Sequence, residues 1–384
     1  MEWERRCSSV KTHDEEKAYL YWLHRIPKIG ERLKRKLVER EGSAEAVYRI
    51  PEVRLEEVIG KEKREIFLRF TEKWHITEEY ERLLADNISM VSVFEPGYPE
   101  RLRKIRGHPM ILYYRGTLPE DEIMSLAIIG ARECSAYGSH IAGEFAKRIA
   151  AAGINIISGM ARGIDGIGQR AALEAGGSTY GVLGCGVDIC YPLSNRSLYL
   201  RMQEKGGILS PYVPGTEPMK TLFPYRNKIV AGLSDAVLVV EARQKSGTLI
   251  TVDMALEQGK DVYAVPGRVT DRLSDGCNLM IRQGAGIALS PEDILAEMAV
   301  LKNRRGKHHG KTDGNLLGEE GVSEPPGILG LLDINPKPLQ ELFMLAEEKH
   351  MNISLSQLTF ELIQLCMAGK ARQIGGNYFS RIPN

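Results

Sequence analysis

Four stretches place glycine, small polar residues and arginine where a strand would end and a helix would begin. They are Gly130-Ala131-Arg132 with Ser135 and Gly138, Ser158-Gly159 followed by Arg162, Gly184-Cys185-Gly186, and Ser246-Gly247-Thr248. Turns of this kind expose backbone N–H groups at the positive end of a helix, a natural seat for an anion. Arg132, Arg162, Arg226 and Lys228 add positive charge, so the chemistry indicated is capture of a phosphate-like group. The G-x-G-x-x-G turn of dinucleotide-binding sheets is absent, and so is the G-x-x-x-x-G-K-[ST] loop of nucleotide hydrolases.

Covalent chemistry would need a nucleophile with its base, or two cooperating carboxylates. The carboxylates at the same strand ends are Asp165, Asp188, Glu241 and Asp253, and none has a histidine near it in sequence. Asp165 and Asp253 fit better as hydrogen-bond partners of helix starts. Binding without catalysis is the expectation. The eight histidines and six scattered cysteines form no metal-ligand pattern, so neither a metal nor a cofactor is expected.

The elements that must position these residues follow from the apolar pattern. Between 106 and 300, "SLAIIG", "INIISG", "STYGVLGCG", "GGILSPY", "DAVLVVEA" and "KDVYAVPG" alternate with helical stretches such as "SHIAGEFAKRIAAAG". Continuous apolar runs suit parallel strands covered on both faces. Repeated strand–helix alternation predicts an α/β domain with a doubly wound, Rossmann-like parallel sheet, whose ligands sit beyond the strand carboxyl ends.

Residues 1–105 are rich in Glu, Lys, Arg and Leu at helical spacing and predict a small helical domain. There Gly30, in "IPKIGERLKRK", stands between two helical segments as in a helix-hairpin-helix. Residues 301–325 lack an apolar period and read as a polar linker. The tail, 326–384, combines short helices with two β segments about Gly375-Gly376, a winged-helix-like pattern.

The whole-chain balance is neutral in its implications. With 51 basic and 50 acidic residues in 384, any nucleic-acid surface must be local. No apolar stretch approaches the ~20 residues of a membrane span. Scattered cysteines without a leader suggest reduced thiols and a cytoplasmic protein.

"IIGARECSAYG", "ISGMARGIDGIGQRAAL", "VLGCGVDICYP", "TLFPYRNKIVAGLSDAVLVVEARQKSGTLIT", "AVPG" and "LSDGCNLMIRQGA" occur in the order and spacing of one family. Over roughly 95–295 the chain resembles the DNA-processing protein A (DprA/Smf) family. That resemblance implies a single-stranded-DNA-binding protein that protects incoming DNA in natural transformation, loads the RecA recombinase onto it, and forms a homodimer. It further implies DNA contacts by Gly130, Arg132, Ser135 and Gly138, by Ser158, Gly159 and Arg162, by Arg226, Asn227 and Lys228 of "FPYRNK", and by Ser246, Gly247 and Thr248.

Three positions depart from the family pattern: Gln169 stands for a histidine, Pro211 for a glutamate, and Leu193 for a basic residue. Tyr137, Tyr191, Phe223 and Tyr225 are aromatics available for stacking on bases, or for ordinary packing. The rival class is a nucleoside-monophosphate phosphoribohydrolase on a related sheet. Its glycine-rich turn carries a glutamate where "QKSGTLIT" has Thr251, which favours the binder.

Overall fold

A computed structural model describes residues 15–309, 327–333, 337–348, 351, 353–368, 370–374 and 378–382. The front of the chain forms helices α1 (15–25), α2 (Glu31–Glu41), α3 (Ala44–Tyr48), α4 (Glu52–Ile59), α5 (Lys61–Lys73) and α6 (Ile76–Ala85). Gly30 caps the start of α2 in extended geometry, closing the expected hairpin with α1. Strand β1 (Ser89–Ser92) follows, then the short helix α7 (Glu100–Arg103) and β2 (Ile111–Gly116).

The alternating region then runs β3 (Ser125–Ile129), α8 (Ala136–Ala151), β4 (Asn155–Ser158), α9 (Ile164–Glu174), β5 (Thr179–Val182), α10 (Arg196–Glu204) and β6 (Gly206–Ser210). It continues with α11 (Phe223–Leu233), β7 (Ala236–Val239), α12 (Gly247–Glu257), β8 (Asp261–Ala264), α13 (Asp275–Arg282), β9 (Gly286–Ile287) and α14 (Pro291–His309).

The sheet order is β1-β2-β6-β5-β4-β3-β7-β8-β9. From β6 to β9 all neighbours are parallel, the doubly wound arrangement read from the sequence. One edge differs: β2 pairs antiparallel with β6, and β1 antiparallel with β2. β1 lies inside the segment read as helical. Its four residues, Ser-Met-Val-Ser, are too short a run to stand out among polar helices.

Why the strands are apolar throughout is visible in β3. Ala127 and Ile129 enter one core and Leu126 and Ile128 the other, because successive side chains leave opposite faces. The first core also holds Trp22, Leu23, Leu37 and Phe67 of the front helices. Front helices and sheet therefore share one apolar interior, and Met1–Gly310 forms a single compact unit. At the opposite end from the strand carboxyl termini, Asp235 accepts from the Ser125 N–H at 2.8 Å and from buried Arg101 at 3.1 Å, tying α7 to the starts of β3 and β7.

The second unit, Lys311–Asn384, has its own core of Ile328, Leu331, Leu342, Leu358, Leu362 and Phe379. Strand β10 (Lys337–Pro338) leads into α15 (Leu339–Glu348), followed by α16 (Leu355–Met367) and the antiparallel strands β11 (Ala371–Ile374) and β12 (Tyr378–Arg381). The turn expected at Gly375-Gly376 lies outside the described residues. So does most of the expected linker, although α14 continues into it as far as His309.

Separate cores lead to an expected result. A chain truncated after Gly310 should stay soluble and melt cooperatively near the temperature of the first transition of the full chain. Calorimetry of both chains checks this; loss of the cooperative transition on truncation would mean that the tail completes the first core.

Candidate nucleic-acid interface

β3 is the topological switch point: β4, β5 and β6 extend the sheet on one side of it and β7, β8 and β9 on the other. A crevice of about 570 Å³ opens at the carboxyl ends of these strands, where connections depart in opposite directions. Gly130 to Glu133 after β3, Gly159 and Ala161 after β4, Arg243 and Ser246 to Thr248 after β7, and the first turn of α11 line it. Asp165, Tyr191, Lys220 and Thr251 complete much of the wall.

The turn after β3 is locked from below. Ile164 N–H donates to the Ala131 carbonyl at 3.2 Å. Gly163 has φ +74°, and a Cβ there would stand 2.2 Å from the Ala131 carbonyl oxygen, so only glycine fits. Arg132 consequently emerges from a fixed backbone. Its side chain is exposed, lies over the Phe223 ring at 5.6 Å and has no carboxylate partner among the described residues. Arg132 forms no ion pair with Asp165, whose carboxylate accepts from the Gly159 N–H instead.

Arg226 is a different kind of arginine. It is 5% exposed and sits beneath the other edge of the crevice, its guanidinium donating to the carbonyls of Gly159 and Val182 and to Asn227 Oδ1. Burial lowers its pKa, and nearby Asp165 opposes that shift. Burial likewise raises the Asp165 pKa, opposed by Arg226 and by hydrogen bonds from the Ala161 and Gly159 N–H groups. Phe223 lies within 5.4 Å of the Arg226 guanidinium as well, so both arginines adjoin one aromatic ring. Tyr191 stands 5.9 Å from that ring and is half exposed. These two aromatics face the crevice; Tyr137 and Tyr225 do not line it.

Several expected phosphate donors are already engaged. The Ser135 N–H donates to Glu241 at 2.9 Å, its hydroxyl donates to the same carboxylate, and Gly138 N–H donates to Ser135 Oγ. Fully buried Glu241 thus occupies the start of α8, and a Cβ on Gly138 would lie 2.3 Å from its carboxyl carbon. Ser158 Oγ donates to the Ile128 carbonyl, and the Gly159 N–H donates to Asp165. Ser135, Gly138, Ser158 and Gly159 build the rim rather than offer free groups to it.

The start of α12 remains open. Gly247 and Thr248 open its first turn with N–H groups that have no intrahelical acceptor, the Leu249 N–H donating to the Ser246 carbonyl at 3.2 Å, while Thr248 Oγ1 donates to the Gly130 carbonyl at 3.2 Å. Ser246 Oγ is buried without a partner among the described residues. Arg132, Gly130, Asn227, Arg226 and Ser246 to Thr248 are therefore brought together. Arg162 is exposed outside the crevice, and Lys228 lies on the far side of α11.

Lys220 and Arg243 were not singled out from the sequence, yet both are exposed cations on the crevice wall. Arg243 had a usable signal, since it follows the β7 run as Arg132 follows β3. Lys220 sits on an irregular approach to α11 and had none. Of the departures, Gln169 is buried and donates to the Tyr180 carbonyl at 3.0 Å, so it serves packing of α9 on the sheet. Leu193 is exposed and Pro211 buried.

Among the described residues no group of three or more His, Cys, Asp or Glu side chains could hold a metal ion. Five described cysteines are free thiols. No described helix is long and apolar enough to cross a membrane.

Comparison with known proteins agrees with the geometry. Residues 89–299 match the family model of DNA recombination-mediator protein A. The DNA processing protein DprA of Streptococcus pneumoniae is 38% identical over 223 residues, 58% of this chain and 77% of that protein. DprA of Bacillus subtilis is also 38% identical, over 55% of this chain and 71% of its own length. The X-ray structure of the S. pneumoniae protein superposes with a TM-score of 0.64 at 31% identity, covering 73% of this chain and 97% of that one. A match across the entire doubly wound sheet and its switch-point loops makes this chain a member of the DNA recombination-mediator protein A (DprA/Smf) family.

Proposed function

We propose that the switch-point crevice binds single-stranded DNA and that the chain acts as a binder, not an enzyme. The observation that carries this is an exposed Arg132, without a carboxylate partner among the described residues, on the same crevice as the open start of α12, Arg243, Lys220 and a Phe223–Tyr191 aromatic pair. Backbone phosphates satisfy the cations and helix start, while bases stack on the rings. Two carboxylates line the crevice: Asp165 is committed to the Gly159 N–H, and Glu133 is exposed on the wall with no lining histidine or cysteine to form a catalytic pair with it. In the cell, this activity would shield incoming single strands during transformation and deliver them to the RecA recombinase, with the protein acting as a homodimer. The tail would serve as a winged-helix-like accessory module.

Binding to an oligothymidine should exceed binding to a duplex of equal length, and should weaken as salt rises. On a single strand the logarithmic slope is about −0.7 for each phosphate neutralised, so three or four crevice cations give roughly −2 to −3. Fluorescence anisotropy across a salt series tests this. Equal duplex affinity or a flat salt response would overturn the proposal.

A further inference from the structure

α11 has a second charged side. Arg226 and Asn227 face the crevice, but Tyr225 Oη donates to the Gly107 carbonyl at 3.4 Å on the other flank. Lys228 lies there too, since a Cβ on Gly107 would be 3.4 Å from its Nζ. The neighbouring His108 is gripped by Arg35 of α2, Nη1 at 2.6 Å from Nε2 and Nη2 donating to the carbonyl at 2.7 Å. Glu31, one turn earlier on α2, accepts from the Met110 N–H. The start of α2 and the 105–110 loop are thus fastened together beside α11, about one helix diameter, ~10 Å, from the crevice.

Charge at this junction is unbalanced. On the front helices the described arginines are satisfied, for example Arg40 with Glu57, Arg49 with Glu45, Arg64 with Glu56 and Arg82 with Glu79. Arg32 is the exception: exposed, and without a partner among the described residues. It lies three residues before Arg35, on the same side of α2. Arg106 is exposed and unpaired among the described residues, and Lys228 likewise has no carboxylate partner there. The carboxylate at hand, Glu31, is already shared between Met110 and Arg35. His108 registers the excess: burial lowers its pKa, and Arg35, Arg103 and Lys228 lower it further.

We propose that Arg32, Arg106 and Lys228 form a second phosphate-contact patch, which carries a bound single strand out of the crevice, past α11, onto the α1–α2 hairpin. This rests on the crevice reading above and adds a direction to it. A short strand fills the crevice alone, whereas a longer one also crosses the patch. It also gives Lys228 a function in keeping with its position outside the crevice.

The test compares oligothymidines of about 6 nucleotides, a length within a typical single-fold site, and of about 20 nucleotides, which exceeds one. The Arg32→Ala/Arg106→Ala double variant should bind the short strand as the unaltered protein does. It should bind the long strand about tenfold more weakly, with a salt slope shallower by roughly 1.4 for two lost phosphate contacts. Lys228→Ala should follow the same pattern. Equal losses on both lengths, or no loss on the long strand, would overturn the patch while leaving the crevice intact. Failure of the unaltered protein to bind either strand would overturn the crevice reading and the patch together.

Discussion

Arg132→Ala should lower affinity for single-stranded DNA by about 1–3 kcal/mol, the range for a hydrogen bond to a charged group. That corresponds to roughly 5- to 150-fold in dissociation constant. The melting temperature should hardly move, because surface substitutions stay within about 0.5 kcal/mol. Both expectations come from one fact: the side chain is exposed, rests over Phe223 and pairs with no carboxylate among the described residues. The fixed turn beneath it does not depend on the guanidinium, since it is held by the Ile164 N–H and the close approach of Gly163. Anisotropy and a thermal melt on the same preparation check the pair of outcomes. A lowered melting temperature with unchanged affinity would make Arg132 a structural residue.

Arg226→Ala should behave in the opposite way and unfold the protein readily. Its guanidinium is buried, donates to two main-chain carbonyls and to Asn227, and compensates the buried Asp165 carboxylate. Removing one partner of a buried pair costs about 3–5 kcal/mol, because the remaining charge stays desolvated. The β4–α9 loop should loosen with it, as Asp165 holds the Gly159 N–H and Arg226 the Gly159 carbonyl. Denaturant unfolding measures the loss. Full stability combined with lost DNA binding would show that Arg226 serves the ligand directly and not the rim.

The two arginines also mark how far the sequence could be read. Both were legible as cations near strand ends, and the sheet was legible because its strands are apolar on both faces. That ligands sit beyond the strand carboxyl ends followed from alternation, but the strand order that makes β3 the switch point did not. Burial was not legible: "FPYRNK" gives no sign that Arg226 turns inward while Lys228, two residues on, leaves by the opposite flank. Nor was it legible which N–H groups were already taken. Glu241 reaches the start of α8 from a strand more than a hundred residues away, a contact that local pattern cannot reveal. β1 and β2 escaped notice for a related reason, since these antiparallel strands at one side of the sheet owe their form to the neighbours they pair with.

The role of the crevice turns on where a strand lies when bound. A crystal structure of the protein with an oligothymidine of about 6 nucleotides, a length within the usual single-fold site, would locate it. We expect a backbone phosphate within hydrogen-bond reach of the Arg132 guanidinium and of the Gly247 or Thr248 N–H, with a base against Phe223 or Tyr191. A strand bound elsewhere, with the crevice between β3 and β7 left empty, would contradict it.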